Sequence, residues 1–126
     1  MKINWTYIAC LCLAALTGCN GNDVFAPDHI WSAGEEGGLL VTNRDKKEIC
    51  LIDTRLKNTG IKVTLPTAAN DLTETPDRHI WVVCDGAGGA LCELDGKDLS
   101  VLSETKLGHT PSAVLFNPQT GSLWTT

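Results

Sequence analysis

Six cysteines, three histidines and a recurring aspartate are the side chains with the most chemistry to offer here, and their spacing narrows what that chemistry can be. Cys84 and Cys92 flank Asp85-Gly86-Ala87-Gly88-Gly89-Ala90. That Gly-rich run predicts a hairpin turn, which places the two thiols to face each other across adjacent strands. Together with Cys50 they form an odd set that allows at most one internal disulfide. The reading favoured over a Cys84–Cys92 disulfide is that all three are small buried hydrophobic side chains. His29, His79 and His109 stand far apart, and no two Cys or His residues have ligand spacing, so no metal is expected. Asp53 and Asp95 read either as an acid–base pair or as turn caps, and their matching places favour caps. The Gly86–Gly89 run lacks the Lys-Ser/Thr and the helix of a phosphate loop. No Ser-His-Asp or Cys-His arrangement and no cofactor motif is legible.

The N-terminus carries a different kind of chemistry. Lys2 precedes an apolar run over residues 7–16, the length of a secretory signal core and too short to span a bilayer. The run contains Cys10 and Cys12 and ends in Leu16-Thr17-Gly18-Cys19, which resembles the lipobox of bacterial lipoproteins. Small residues admit the peptidase, and the Cys19 thiol accepts the diacylglyceryl group. The resemblance implies a signal peptide over residues 1–18, lipidation at Cys19 and a membrane partner through that anchor. An ordinary secretory signal and an uncleaved apolar segment are the alternatives. Several acyl chains on one residue hold firmly, since each buried methylene contributes about 0.8 kcal/mol. Residues 19–23 read as a tether. Only Asp23 echoes the acidic export signal of some Bacteroidota surface lipoproteins, so cell surface and periplasmic side both stay open.

The formal charge is −5, from 10 Lys+Arg against 15 Asp+Glu, with no basic run, which speaks against a nucleic-acid partner. Twelve Gly and five Pro in 126 residues lean toward many turns. Shifting the chain by 42 residues lays Leu39-Leu40-Val41-Thr42-Asn43 on Trp81-Val82-Val83-Cys84-Asp85, and Ile49-Cys50-Leu51-Ile52-Asp53 on Leu91-Cys92-Glu93-Leu94-Asp95. Leu65 falls on Leu107, Leu72 on Val114 and Pro76 on Pro118. Each unit holds short alternating apolar runs punctuated by Gly, Pro, Asn and Asp, which is strand patterning. Four strands in about 40 residues predict the blade of a β-propeller.

The residues carrying this repeat resemble the YVTN-type, YncE-like propeller family. Leu40-Val41-Thr42-Asn43 matches the opening of its repeat, Leu51-Ile52-Asp53-Thr54 the next strand, and residues 107–118 its Gly-x-x-Pro strand. Leu65-Pro66-Thr67-Ala68-Ala69 departs by lacking the Gly. The expected architecture is an all-β partial propeller over residues 24–126, of about two and a half blades, with repeats at 38–79 and 80–121 and a third starting at 122. A closed ring needs about four or more blades, so the sequence reads as an N-terminal fragment of a longer protein, with ring closure by oligomerisation as the alternative. Trp31, Trp81 and Trp124 each open an apolar run, and read as blade packing or as a ligand-stacking platform.

Two function classes follow. The first is a non-catalytic binding or scaffold lipoprotein of the outer membrane or cell surface. What the resemblance implies at its sharpest is nutrient capture, such as cobalamin passed to an outer-membrane transporter. The second is a piece of a propeller enzyme, a lactonase or a quinone-dependent dehydrogenase. Two and a half blades do not surround a channel, so the chain itself is expected not to be an enzyme. Lipidation is testable directly. The chain expressed in a bacterium is expected to incorporate labelled palmitate and partition into detergent, and Cys19→Ala to abolish both.

Overall fold

A computed structural model describes residues 27–33, 38–53 and 58–126; the signal segment, Cys19 and the tether lie outside the described residues. Ten strands form in chain order: β1 (Pro27–Ala33), β2 (Gly38–Asn43), β3 (Glu48–Ile52), β4 (Asn58–Thr64), β5 (Ala69–Glu74), β6 (His79–Cys84), β7 (Ala90–Asp95), β8 (Val101–Lys106), β9 (Val114–Asn117) and β10 (Ser122–Thr125). No helix occurs among the described residues. The strands make two four-stranded antiparallel sheets, β1-β2-β3-β4 and β5-β6-β7-β8, and a two-stranded sheet of β9 and β10. These are successive propeller blades, two complete and one half, each a meander in which sequence neighbours pair.

Local chemistry explains the meander. Thr42, Ile49, Val63, Val82 and Val83 are β-branched residues on half-buried or buried strands, where a stiff side chain packs well. Short loops turn the chain back between them. Lys47, Arg78 and Leu99 close three of these loops with φ of 56°, 66° and 59°, and Gly121 closes a fourth at 66°. The left-handed residue ends each loop so that the next strand starts in register. Asn43 Oδ1 accepts the Lys46 amide, Asp95 Oδ1 the Lys97 amide and Asn117 Oδ1 the Gln119 amide, the Asx-turn chemistry that makes these residues common at strand exits. The hairpin turn expected in the Gly-rich run is present, with Cys84 paired to Ala90, and a second turns the chain at 44–47, with Asn43 paired to Glu48.

The core lies between the first two sheets. On β2 and β3, Leu40 pairs with Leu51 and Thr42 with Ile49 on one face. That face meets Ile80, Val82 and Cys84 of β6 and Ala90, Cys92 and Leu94 of β7, which alternate strictly with their half-buried neighbours along β7. Leu65, Ala69, Leu72 and Leu99 close the cluster, with Trp31, Ile61 and Val63 against its margin. The opposite face of the first sheet buries Val41 and Ile52 beside Leu39.

The blades are phased one strand earlier than the sequence repeats. The repeat at 80–121 spans β6 to β9, whereas the second sheet runs from β5 to β8, and β9 opens the third. Residues 27–33 form the first strand of the first sheet. The tryptophans also differ from expectation. Trp81 lies on β6 and Trp124 on β10, both second strands of their sheets, but Trp31 lies on β1, a first strand. Trp81 pairs with Thr73, and Trp124 with Leu115; in the first sheet the same place is filled by Leu40, with Trp31 opposite it. Leu94 has no exposed surface, so Leu94→Ala is expected to cost about 2–5 kcal/mol in urea unfolding. Leu102→Ala, on a side chain 48% exposed, is expected to stay within about 0.5 kcal/mol.

Candidate functional site

Four connections converge at one end of the blades: the β2–β3 and β6–β7 turns and the segments that lead from β4 to β5 and from β8 to β9. The convergence follows from the meander, which sends alternate turns to the same end of every sheet. Hydrogen bonds then tie the four together. The Leu65 amide donates to Lys47 O at 2.7 Å and the Asp85 amide to Ala68 O at 2.8 Å. The Gly108 amide donates to Gly88 O at 2.8 Å. The Thr67 hydroxyl donates to Asp85 O, and the Thr110 hydroxyl to Gly86 O at 3.1 Å. Across the two sheets, the Arg44 guanidinium places Nη2 2.9 Å from Asp85 Oδ2 and Nη1 3.5 Å from Asp28 Oδ2. Arg44 is about half exposed, so this bridge contributes specificity of docking more than stability.

The sheets are joined on the other side by the strands themselves. Asn70 Nδ2 donates to Pro111 O at 2.8 Å, and Asp71 Oδ2 accepts the Val114 amide at 3.0 Å. Both residues sit on β5, the first strand of its sheet; Asn70 reaches the β8–β9 connection and Asp71 reaches β9, the first strand of the next sheet. The Asp71 bond to Val114 is where the first strand of the second sheet meets the first strand of the third.

A second polar cluster lies on the face of β6–β8 turned away from the core. His79 Nδ1 is 2.8 Å from Glu93 Oε1, and the Ser103 hydroxyl donates to Glu93 Oε2 at 2.7 Å. Asp77 Oδ2 lies 3.6 Å from the same His79 nitrogen. The Thr75 hydroxyl donates to Asp77 and holds its carboxyl below the ordinary carboxylate value. Trp81 is directly opposite Glu93. Sequence reasoning missed this group, since its members stand 10 to 14 residues apart with no motif between them. The only available signal was period two: odd positions 79, 81 and 93 share one face. Its order decides its chemistry. Glu93 stands in the middle and accepts from both neighbours, so the histidine does not reach the serine hydroxyl. A nucleophile needs the base in the middle.

The residues singled out from sequence are dispersed. Asp95 caps its own turn, and Asp53 lies at the end of β3 in the preceding sheet. His29 stacks beside Trp31 with ring centroids 5.3 Å apart, His79 joins Glu93, and His109 lies exposed in the β8–β9 connection. No cluster of three His, Cys, Asp or Glu side chains with metal-binding geometry occurs among the described residues. Cys84 and Cys92 are brought together, their sulfurs 4.0 Å apart as thiols. The hydrogen bond to Cys92, followed by burial, pushes the Cys84 thiol above its ordinary value. Cys50 is buried in the other sheet. Asn43 is buried, and its Nδ2 finds no partner among the described residues.

No family model matches the chain, and no curated protein matches it in sequence. Among solved structures it is similar to a chain of Kuenenia stuttgartiensis hydrazine synthase, a protein with β-propeller domains, at TM-score 0.70 and 21% identity. The likeness covers 87% of this chain and 32% of that one, so this chain spans about a third of the neighbour's length. At that identity the likeness concerns the fold.

The β6–β7 turn carries the most stringent geometric demand at this end. A Cβ on Gly89 would lie 2.0 Å from His109 O and 2.4 Å from Pro111 Cδ, while one on Gly88 would meet nothing within 4 Å. Gly88→Ala is therefore expected to cost about 1–2 kcal/mol for its positive φ alone. Gly89→Ala should cost clearly more, because backbone of the β8–β9 connection must move; paired thermal melts compare the two.

Proposed function

We propose that this chain is a lipid-anchored protein of the cell envelope, at the outer membrane or cell surface, whose propeller blades act as a non-catalytic binding or scaffold module. Its most specific form is capture of a nutrient such as cobalamin for delivery to an outer-membrane transporter. The observation that carries the reading is how polar groups are used at the loop end. Arg44, Thr67, Asp85 and Thr110 each bond to a neighbouring segment's backbone or opposite charge. Such groups hold a surface in shape. They do not place a base beside a nucleophile, and in the Ser103-Glu93-His79 chain the histidine does not stand in the middle. The lipobox and the resemblance to YVTN-type repeats support the envelope address and the binding role.

The test is made on residues 20–126, purified without the anchor. Titration with cobalamin, followed by tryptophan fluorescence, is expected to give saturable quenching that weakens when Trp124 is replaced by Ala. Lactonase and dehydrogenase assays, with and without calcium or quinone, are expected to show no turnover. Absence of any cobalamin response removes the nutrient-capture form and leaves the scaffold. Robust turnover abolished by Asp95→Ala overturns the non-catalytic reading in favour of the propeller-enzyme class.

A further inference from the structure

We infer that Cys84 and Cys92 are a disulfide-forming pair and that Cys50 stands outside it. Three thiols in residues 27–126 allow three pairings, and the fold separates them. Period two along β6 puts Ile80, Val82 and Cys84 on the face against the first sheet, and along β7 it does the same for Ala90, Cys92 and Leu94. In the ladder Val82 is opposite Cys92, and Cys84 is opposite Ala90. The two cysteines are therefore diagonal neighbours on one face. The residue across from Cys84 is alanine, whose side chain is short. Their sulfurs lie 4.0 Å apart, and a bond needs about 2 Å; diagonal neighbours in a ladder stand about 7–8 Å apart at Cα, so side-chain rotation and a small shift of the two strands together close the gap.

Cys50 is excluded by the same alternation. Ile49 and Leu51 join the core against the second sheet. Cys50 lies between them in sequence and is paired with Val41, so it belongs to the far face of the first sheet. The backbone of that sheet stands between Cys50 and the other two thiols.

The oxidant is a disulfide, of a protein or a small molecule. A thiolate from one cysteine attacks an oxidant sulfur and expels the other sulfur as a thiolate, leaving a mixed disulfide. The second cysteine, as thiolate, then attacks the protein sulfur of that bond and expels the remaining oxidant sulfur. The protein loses two hydrogens and the oxidant gains them as two thiols. Both cysteines have no exposed surface in the folded chain. The exchange consequently belongs to the open hairpin during folding, and docking of the first sheet then shields the bond from reductants. This inference stands apart from the envelope reading, because it concerns what the fold brings together.

The experiment uses the full chain, unfolded in denaturant with reductant and refolded in a mixture of reduced and oxidised glutathione. Remaining thiols are alkylated in denaturant and the chain is cut with trypsin. Cleavage at Lys47, Arg55, Arg78 and Lys97 puts Cys50 on peptide 48–55 and both other cysteines on peptide 79–97. The expected result is peptide 79–97 lighter by two hydrogens and carrying no alkyl group, with peptide 48–55 alkylated. Cys50→Ala should leave that result unchanged. Chain refolded first without oxidant and then given glutathione disulfide should form the bond at least tenfold more slowly. Two alkyl groups on peptide 79–97, a stable glutathione adduct there, or a link between Cys50 and either partner would overturn the inference. Equal rates before and after folding would overturn the shielding by the first sheet.

Discussion

The apolar contact between the first two sheets is the interaction on which the other features rest. A meander of four short strands exposes two faces, and one sheet alone has no way to bury either. Here Leu40, Ile49 and Leu51 from one sheet meet Ile80, Val82, Cys92 and Leu94 from the next, and nearly all of these side chains leave water completely. Once the faces meet, the positions of the loops are no longer free. Arg44 comes within reach of Asp85, and the β6–β7 turn comes to lie against the β8–β9 connection. The loop end is thus a consequence of core packing and not an independent construction.

The same arrangement accounts for how exposure changes along the chain. Trp81 and Trp124 both lie on the second strand of their sheets, Trp81 opposite Thr73 and Trp124 opposite Leu115. Trp81 is half-buried, with β9 beside β5 and β6. Trp124 is 62% exposed and Leu115, its partner across the ladder, 66%. A side chain that reads as an exposed aromatic in one blade is a packing residue in the one before it. Repetition therefore argues for a packing role at this position.

Polar side chains of the described residues gather in two places. At the loop end, side chains bond to backbone groups of neighbouring turns. On the outer face of the second sheet, Glu93 gathers His79 and Ser103. In both places the bonds hold segments together. The hydrazine synthase chain to which this one is similar shares the fold at 21% identity, and a fold hosts many functions.

Much of this was legible in the residues. Alternation of apolar and polar positions marked the strands, Gly, Asn and Asp marked the turns, and the 42-residue period marked the blade. Those signals are local, and local physics produces them: pleat geometry has period two, and only certain residues enter tight turns. The tertiary structure decided the rest. A repeat has no origin, so the period could not say which strand opens a sheet, and the blades begin one strand earlier than the repeat suggests. Alternation names two faces without saying what each will meet, so which face of the first sheet becomes the core, and the placing of Cys50 on the face away from Cys84 and Cys92, awaited the packing of one sheet on another. Arg44 with Asp85, and Asn70 with Pro111, lie 41 residues apart. Their meeting is fixed by how sheets stack, an interaction between faces that no single stretch of sequence contains.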